Sequence, residues 1–279
     1  MGSTTLYHGV GEGEPMEICI WIMIMAIGVT WLVSVVTTNY SQVDRAWSIL
    51  PFVYAWVFAF FRPTPRLLLM AVLTTLWGVR LTFNFWRRGG YEWGGEDYRW
   101  AEVQKGMSKL AFALLNFVFI AGIQNVLLLL LLLPAQVVFA SELTPLGAGD
   151  ALVTVLFLAL LAVETAADQQ QYDFQTKKYA MRAAGRSLHG DFQKGFRTSG
   201  LFRYSRHPNF ACEISIWWTF YLFTVTATGA PLHWALAGPL GLSILFHFST
   251  DFTESITLKK YPAYRNYMNQ TPRLFPFLP

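Results

Sequence analysis

The sequence predicts an all-α, polytopic membrane bundle of about seven transmembrane helices, with the N-terminus outside and the C-terminus cytosolic. Three observations carry this. Of the 279 residues 54% are hydrophobic and only 14% charged, where an ordinary soluble domain carries about 25% charged residues. Several apolar runs reach the roughly 17–25 residues that a helix needs to cross a bilayer. The Lys and Arg residues fall on one side of the resulting topology, as the cytosolic loops of membrane proteins do.

The expected spans are residues 16–38, 46–61, 67–86, 110–139, 150–167, 210–228 and 232–250. The first run has no basic start and continues at full spanning length, so it reads as an anchor and not a cleaved leader. A flexible tail over residues 1–15 precedes it. The second is short and ends at Arg62-Pro63-Thr64-Pro65, which leaves a re-entrant hairpin as the alternative to a crossing. The fourth is too long for one untilted crossing and contains Pro134 behind a leucine run, so tilt or a kink is expected. With seven spans, Arg45, the cations from Arg87 to Lys109, those from Lys177 to Arg206 and those from Lys259 to Arg273 share one side. They make up 18 of the 21 Lys and Arg residues; only Arg62 and Arg66 fall opposite, and Arg80 lies within a span. No linker separates a second domain, so residues 16–279 read as one membrane domain.

Several functions are excluded at this level. Cys19 and Cys212 fall in or beside spans, which rules out a disulfide framework or a cysteine metal site; no metal is expected. The pI of about 9.1 follows from the topology, and without a recognition motif nucleic acid is not an expected partner. Gly9-Val10-Gly11-Glu12-Gly13 lacks the preceding strand and following helix of a dinucleotide fingerprint.

Ionisable groups inside or beside spans are costly and mark cavities or pathways. Four regions carry them. In Asn39-Tyr40-Ser41-Gln42-Val43-Asp44-Arg45-Ala46-Trp47, Gln42 and Asp44 can orient or protonate a substrate oxygen, the alternative being an interfacial Asp44–Arg45 pair. Arg80, Asn84, Arg87 and Arg88 follow helical i, i+4, i+7, i+8 spacing and lead into Gly94-Gly95-Glu96-Asp97-Tyr98-Arg99-Trp100. Such a stripe of guanidinium groups suits phosphate or carboxylate ligands. Glu164 and Asp168, one turn apart at the end of the fifth span, can accept from ribose hydroxyls or an amide, unless they only solvate a helix end. The fourth region runs from Gly200-Leu201-Phe202-Arg203-Tyr204-Ser205-Arg206-His207-Pro208-Asn209-Phe210 to Glu213. Asn209 and Glu213 share a helix face there, and Asn209 is a candidate helix cap. A basic, tyrosine-rich tail follows, with Tyr261 and Arg265.

Gly200-Leu201-Phe202, Tyr204, Asn209-Phe210 and Glu213, followed by Lys260-Tyr261-Pro262 and the closing Pro276, resemble the C-terminal domain of the steroid 5α-reductase family over residues 164–279. Gln42-Val43-Asp44-Arg45-Ala46-Trp47 and Glu96-Asp97-Tyr98-Arg99 resemble the sub-family of uncharacterised membrane proteins that shares this domain. The resemblance implies a seven-helix reductase that takes NADPH from the cytosolic side and reduces a double bond conjugated to a carbonyl in a sterol or other lipid. It implies that Asn209 and Glu213 hold the nicotinamide end and that Asp168 lies near the cofactor. Glu164 stands where the family has an Asn. The further cofactor contacts it implies are Arg88, Arg99, Arg203, Tyr204, Arg206, His207, Tyr261 and Arg265. Family members polarise the substrate carbonyl with a Glu and a Tyr; here Gln42 or Asp44 stands in for the first and Arg80 for the second. The partners expected are the lipid substrate and the membrane itself, in the endoplasmic reticulum of a eukaryote or the inner membrane of a bacterium.

Two other readings stay open. Arg206-His207-Pro208-Asn209-Phe210 with Glu213 also resembles the isoprenylcysteine carboxyl methyltransferases, which use S-adenosylmethionine. A lipid-binding membrane protein that keeps the fold without activity is the third.

Overall fold

The computed structural model describes residues 14–276. Of the expected tail over residues 1–15, only Glu14 and Pro15 are described, and they open the first helix. Among the described residues every regular element is helical and none is a strand. Helix α1 is Glu14–Thr37, α2 Gln42–Trp47, α3 Leu50–Phe61, α4 Pro65–Trp86 and α5 Tyr98–Lys105. The segment Lys109–Ala140 consists of α6 (Lys109–Leu115), a π-helical stretch Asn116–Ile123, α7 (Gln124–Leu130) and α8 (Leu133–Ala140). There follow α9 (Ala148–Ala183), α10 (Asp191–Lys194), α11 (Pro208–Thr228), α12 (Ala237–Lys260) and α13 (Tyr264–Gln270).

Local chemistry accounts for many of these ends. The Thr64 hydroxyl accepts from the Leu67 amide and Pro65 occupies the first turn of α4, where its missing N–H would lack a helical partner anyway. Asp97 caps α5 and Ser108 caps α6 in the same way. The expected irregularity of the fourth span falls at Leu131 and Leu132, which places Pro134 in the first turn of α8. A second irregularity, the π-helical stretch, is not foreshadowed by any proline. Helix α9 runs well past residue 167 because residues 168–183 contain no Gly or Pro; Gly185, at φ +62°, lies just beyond its end.

Among the described residues five segments are long and apolar enough to cross a bilayer: α1, α4, Lys109–Ala140, α9 and α11. They mark a multi-pass membrane protein. The expected second span is resolved into α2 and the 12-residue α3, about 18 Å long against a hydrocarbon core of about 30 Å. The expected seventh becomes α12, which starts at Ala237 behind a short turn, Trp234–Leu236.

The chain forms two compact units. One runs through Val155 and includes Thr219–Pro239; the other comprises Leu156–Trp218 and the chain from Leu240 onward. In the first, α3 packs on α4 through Gly78, where a Cβ would come within 2.5 Å of the Ser48 carbonyl and 2.6 Å of the Phe52 ring. Gly78→Ala is therefore expected to lower stability by about 1–3 kcal/mol, measurable by thermal unfolding in detergent. Arg62 and Arg66, the two cations that the expected topology sets apart from the others, are both tied down. Arg62 donates to the carbonyls of Phe139 and Ser141, and Arg66 makes a buried two-pronged bridge to Asp150, 2.8 Å on each side.

The second unit is organised around Glu254, a carboxylate only 2% exposed. Arg206 reaches it through Nε at 2.6 Å and Nη2 at 3.2 Å, His207 Nε2 lies 3.0 Å away, and the Tyr264 hydroxyl 3.4 Å. The backbone amides of Arg206 and His207 donate to the carbonyls of Pro272 and Arg273, so the tail is clasped against the entry to α11.

Candidate functional site

Each unit gathers one cluster of candidate residues. In the first unit, the turn between α1 and α2 meets the loop behind α4, 56 residues away in sequence. Asn39 Nδ2 donates to the Gly95 carbonyl at 2.9 Å, the Tyr40 amide to Glu96 Oε1 at 2.7 Å, and the Asp97 amide to Ser41 Oγ at 2.9 Å. Arg45 does not pair with Asp44 as one expectation had it. Its guanidinium turns to the carbonyls of Gly90, Glu92 and Gly95 and to Gln42 Oε1, while the Tyr91 hydroxyl donates to the Arg45 carbonyl. Gly95 is pressed against the Gly89 carbonyl, where a Cβ has no room. Arg45→Ala is expected to speed amide hydrogen exchange across residues 90–97, whereas substitution of the exposed Arg88 should leave it unchanged.

Within this cluster Gln42 is held at both ends, its Nε2 on the Asn39 carbonyl and its Oε1 on Arg45. Asp44 accepts from the Trp100 indole N–H at 3.4 Å. Burial raises the Asp44 pKa, with the Arg99 guanidinium opposing. Burial acts the same way on Asp97, but the two-pronged Arg99 bridge outweighs it and holds Asp97 below the usual carboxylate range. Two neighbouring carboxyls are thus driven apart, Asp44 toward the acid form and Asp97 toward the anion. The guanidinium stripe is shorter than its spacing implied: α4 ends at Trp86, so Arg87 sits at its C-cap, donating to Asn84 Oδ1, and Arg88 lies beyond the helix. Arg80 is half-buried within α4.

In the second unit, Glu164 and Asp168 are buried inside α9, well before its end, and do not form a solvated terminus. Helix α11 begins at Pro208, so Asn209 lies in the first turn and is not its cap. Its side-chain Nδ2 donates instead to Asp168 Oδ1 at 3.2 Å. Glu213, one turn further on and 4% exposed, accepts from the Trp217 indole at 3.0 Å. Asp168, Asn209 and Glu213 are therefore presented by the packing of α9 against α11. Arg206 and His207 sit at the Glu254 hub, while Arg203, Tyr204 and Arg265 are exposed. Tyr261 packs against Gly195, and the buried Lys178, whose ammonium donates to the Gly195 carbonyl at 3.1 Å, lies 6.0 Å from its ring centre.

A family model described as "Protein of unknown function (DUF1295)" matches residues 30–271. The chain belongs to the DUF1295 family. An uncharacterized protein of Schizosaccharomyces pombe is 38% identical over 285 residues, covering 95% of this chain and 80% of the relative. No solved structure matches. The matched region of this DUF1295 protein contains both clusters.

Other residues of this DUF1295 protein that shape the clusters escape a reading by motif. Gln170 Oε1 accepts from the Leu201 amide, and Arg197 donates to the Gln170 carbonyl, fixing the turn at Gly200, whose φ is +68°. Gln171 Oε1 is buried with no hydrogen-bond partner in the protein. A run of three glutamines hints at polar work inside a helix, but not at which carbonyl faces which amide. An apolar groove of about 360 Å³, lined by Ile18, Phe52, Trp56 and Phe60 among others, contains none of the candidate residues.

Proposed function

We propose that this DUF1295 protein is a membrane-embedded, NADPH-dependent reductase of a conjugated carbon–carbon double bond in a steroid or other lipid enone, as its resemblance to the steroid 5α-reductases implies. The observation that carries the reading is the meeting of Asp168 and Asn209, with Glu213 one turn away on the same helix. A nicotinamide carboxamide both donates and accepts hydrogen bonds, and a ribose offers hydroxyl donors. Asn209 and Glu213 match the first need; Asp168, Glu164 and the orphan acceptor of Gln171 match the second. The residues present thus fit the polar end of a dinucleotide. NADPH, when bound, supplies the hydride.

Of the candidate cations of this unit, Arg203 and Arg265 are exposed and open to phosphates. Arg206 and His207 are positioning residues on this reading, because Glu254 already engages them. Reduction of an enone builds negative charge on the carbonyl oxygen, which calls for a proton donor. Asp44, pushed toward its acid form by burial, is the group whose chemistry suits that role. Seven crossings with the N-terminus outside and the basic face in the cytosol complete the reading, in the endoplasmic reticulum of a eukaryote or the inner membrane of a bacterium.

The test is turnover. Purified protein in nanodiscs, given NADPH and cholest-4-en-3-one or other enone lipids, is expected to oxidise NADPH with formation of the saturated ketone. Asp44→Asn should cut the rate by about 10²-fold or more, as loss of a general acid does. Absence of turnover across a panel of steroid, prenyl and fatty enones would sink the reading.

A further inference from the structure

The segment Lys109–Ala140 crosses the first unit as an apolar helix, yet buries Asn116 and Asn125 at 2% and 0% exposure. Both carboxamides reach α1: Asn116 Nδ2 donates to Ser34 Oγ at 2.8 Å and Asn125 Nδ2 to Thr30 Oγ1 at 3.3 Å. Nine residues along an ordinary α-helix amount to about two and a half turns and would set these side chains on opposite faces. The π-helical stretch Asn116–Ile123 widens the turns between them and brings both onto α1. Gly122 lies within it, where a Cβ would come 3.0 Å from the Phe117 carbonyl.

The orientation of the amides follows from the hydroxyls they meet. Thr30 gives its single proton to the Ala26 carbonyl and Ser34 gives its own to Trp31, so each hydroxyl can only accept from the asparagine. The NH₂ groups therefore face α1. Both Oδ1 atoms are left buried without a hydrogen-bond partner in the protein. Buried carbonyl groups of this kind are satisfied by water or ligand in native structures. The hydroxyl column continues from Thr30 and Ser34 to Thr37, whose Oγ1 lies 3.5 Å from Gln42 Nε2 in the cluster of this same unit.

We propose that the seam between α1 and the π-helical stretch is a hydroxyl-binding site inside the membrane bundle, in which Oδ1 of Asn116 and of Asn125 accept from the O–H groups of internal water or of a hydroxylated lipid. The inference is independent of the reductase reading.

The experiment uses full-length protein in phosphatidylcholine nanodiscs, alone or with cholesterol or cholesterol methyl ether. Infrared difference spectra against Asn116→Leu and Asn125→Leu give the carboxamide C=O frequency, and thermal unfolding gives the response to each sterol. A hydrogen-bonded C=O band in sterol-free discs, with no sterol effect on Tm, assigns the site to water. A rise in Tm with cholesterol, absent with the methyl ether and lost in both variants, assigns it to lipid hydroxyl. A band at the free-carbonyl frequency under all three conditions overturns the proposal. Should a leucine variant fail to fold, ¹³C-asparagine labelling of the unsubstituted protein reads the same alternative, since two free carboxamides would appear as a separate high-frequency band.

Discussion

Arg66→Ala is expected to destabilise the protein by about 3–5 kcal/mol, the cost of removing one partner from a buried ion pair. Both side chains are almost fully enclosed, at 5% and 3% exposure. The Asp150 left behind would keep the Thr226 hydroxyl at 2.7 Å and the Gly147 amide at 2.9 Å, but lose its two-pronged cation. Arg66 also holds the Thr144 hydroxyl and the Pro145 carbonyl, so the chain entering α9 should loosen with it. Thermal unfolding in detergent measures the loss. Replacing both partners by leucine should recover much of it, because no uncompensated charge then remains.

Glu254→Gln is expected to have an effect of similar size and to change the response to acid. Burial raises the Glu254 pKa, but His207 and Arg206 outweigh it and bring it down to about 2. A carboxylate depressed in the folded state contributes stability that is fully present above its ordinary pKa of about 4.3. That contribution is lost as pH falls from there toward 2. Wild-type protein should therefore lose stability steeply between about pH 4.5 and pH 2, and Glu254→Gln should be weaker at pH 7 yet flatter across that interval. Equal acid profiles for the two proteins would show that the hub does not govern acid stability. Glu254→Gln should also release the 271–276 tail, since Arg206, which Glu254 holds, donates to the Met268 and Thr271 carbonyls.

Apolar length and the uneven distribution of Lys and Arg were enough to predict a helical membrane protein, because both reflect the solvent directly. What they missed depends on contacts remote in sequence. Arg45 reads as the neighbour of Asp44, yet its partners are the carbonyls of a glycine loop 45 to 50 residues away. Glu254 lies beyond the seventh apolar run, but its partners Arg206 and His207 are 48 and 47 residues earlier. Carboxylates near position 167 looked like the end of a span because charge interrupts hydropathy; a helix ends only where backbone conformation changes, and that waits for Gly185. Asn116 and Asn125 lie within an apolar run and belong to none of the four polar regions singled out from the sequence. Their common face was not legible either, since the spacing of nine places them opposite one another until the π-helical turns are known.

The most direct test of the central claim is binding of NADPH and S-adenosylmethionine to the purified full-length protein, followed by nicotinamide fluorescence and thermal shift, with Asn209→Ala and Glu213→Ala alongside. The account predicts that NADPH stabilises the wild type, that S-adenosylmethionine does not, and that each substitution weakens NADPH about tenfold or more, the scale of a lost hydrogen bond involving a charged group. Stabilisation by S-adenosylmethionine alone, or NADPH affinity unchanged in both variants, would contradict it.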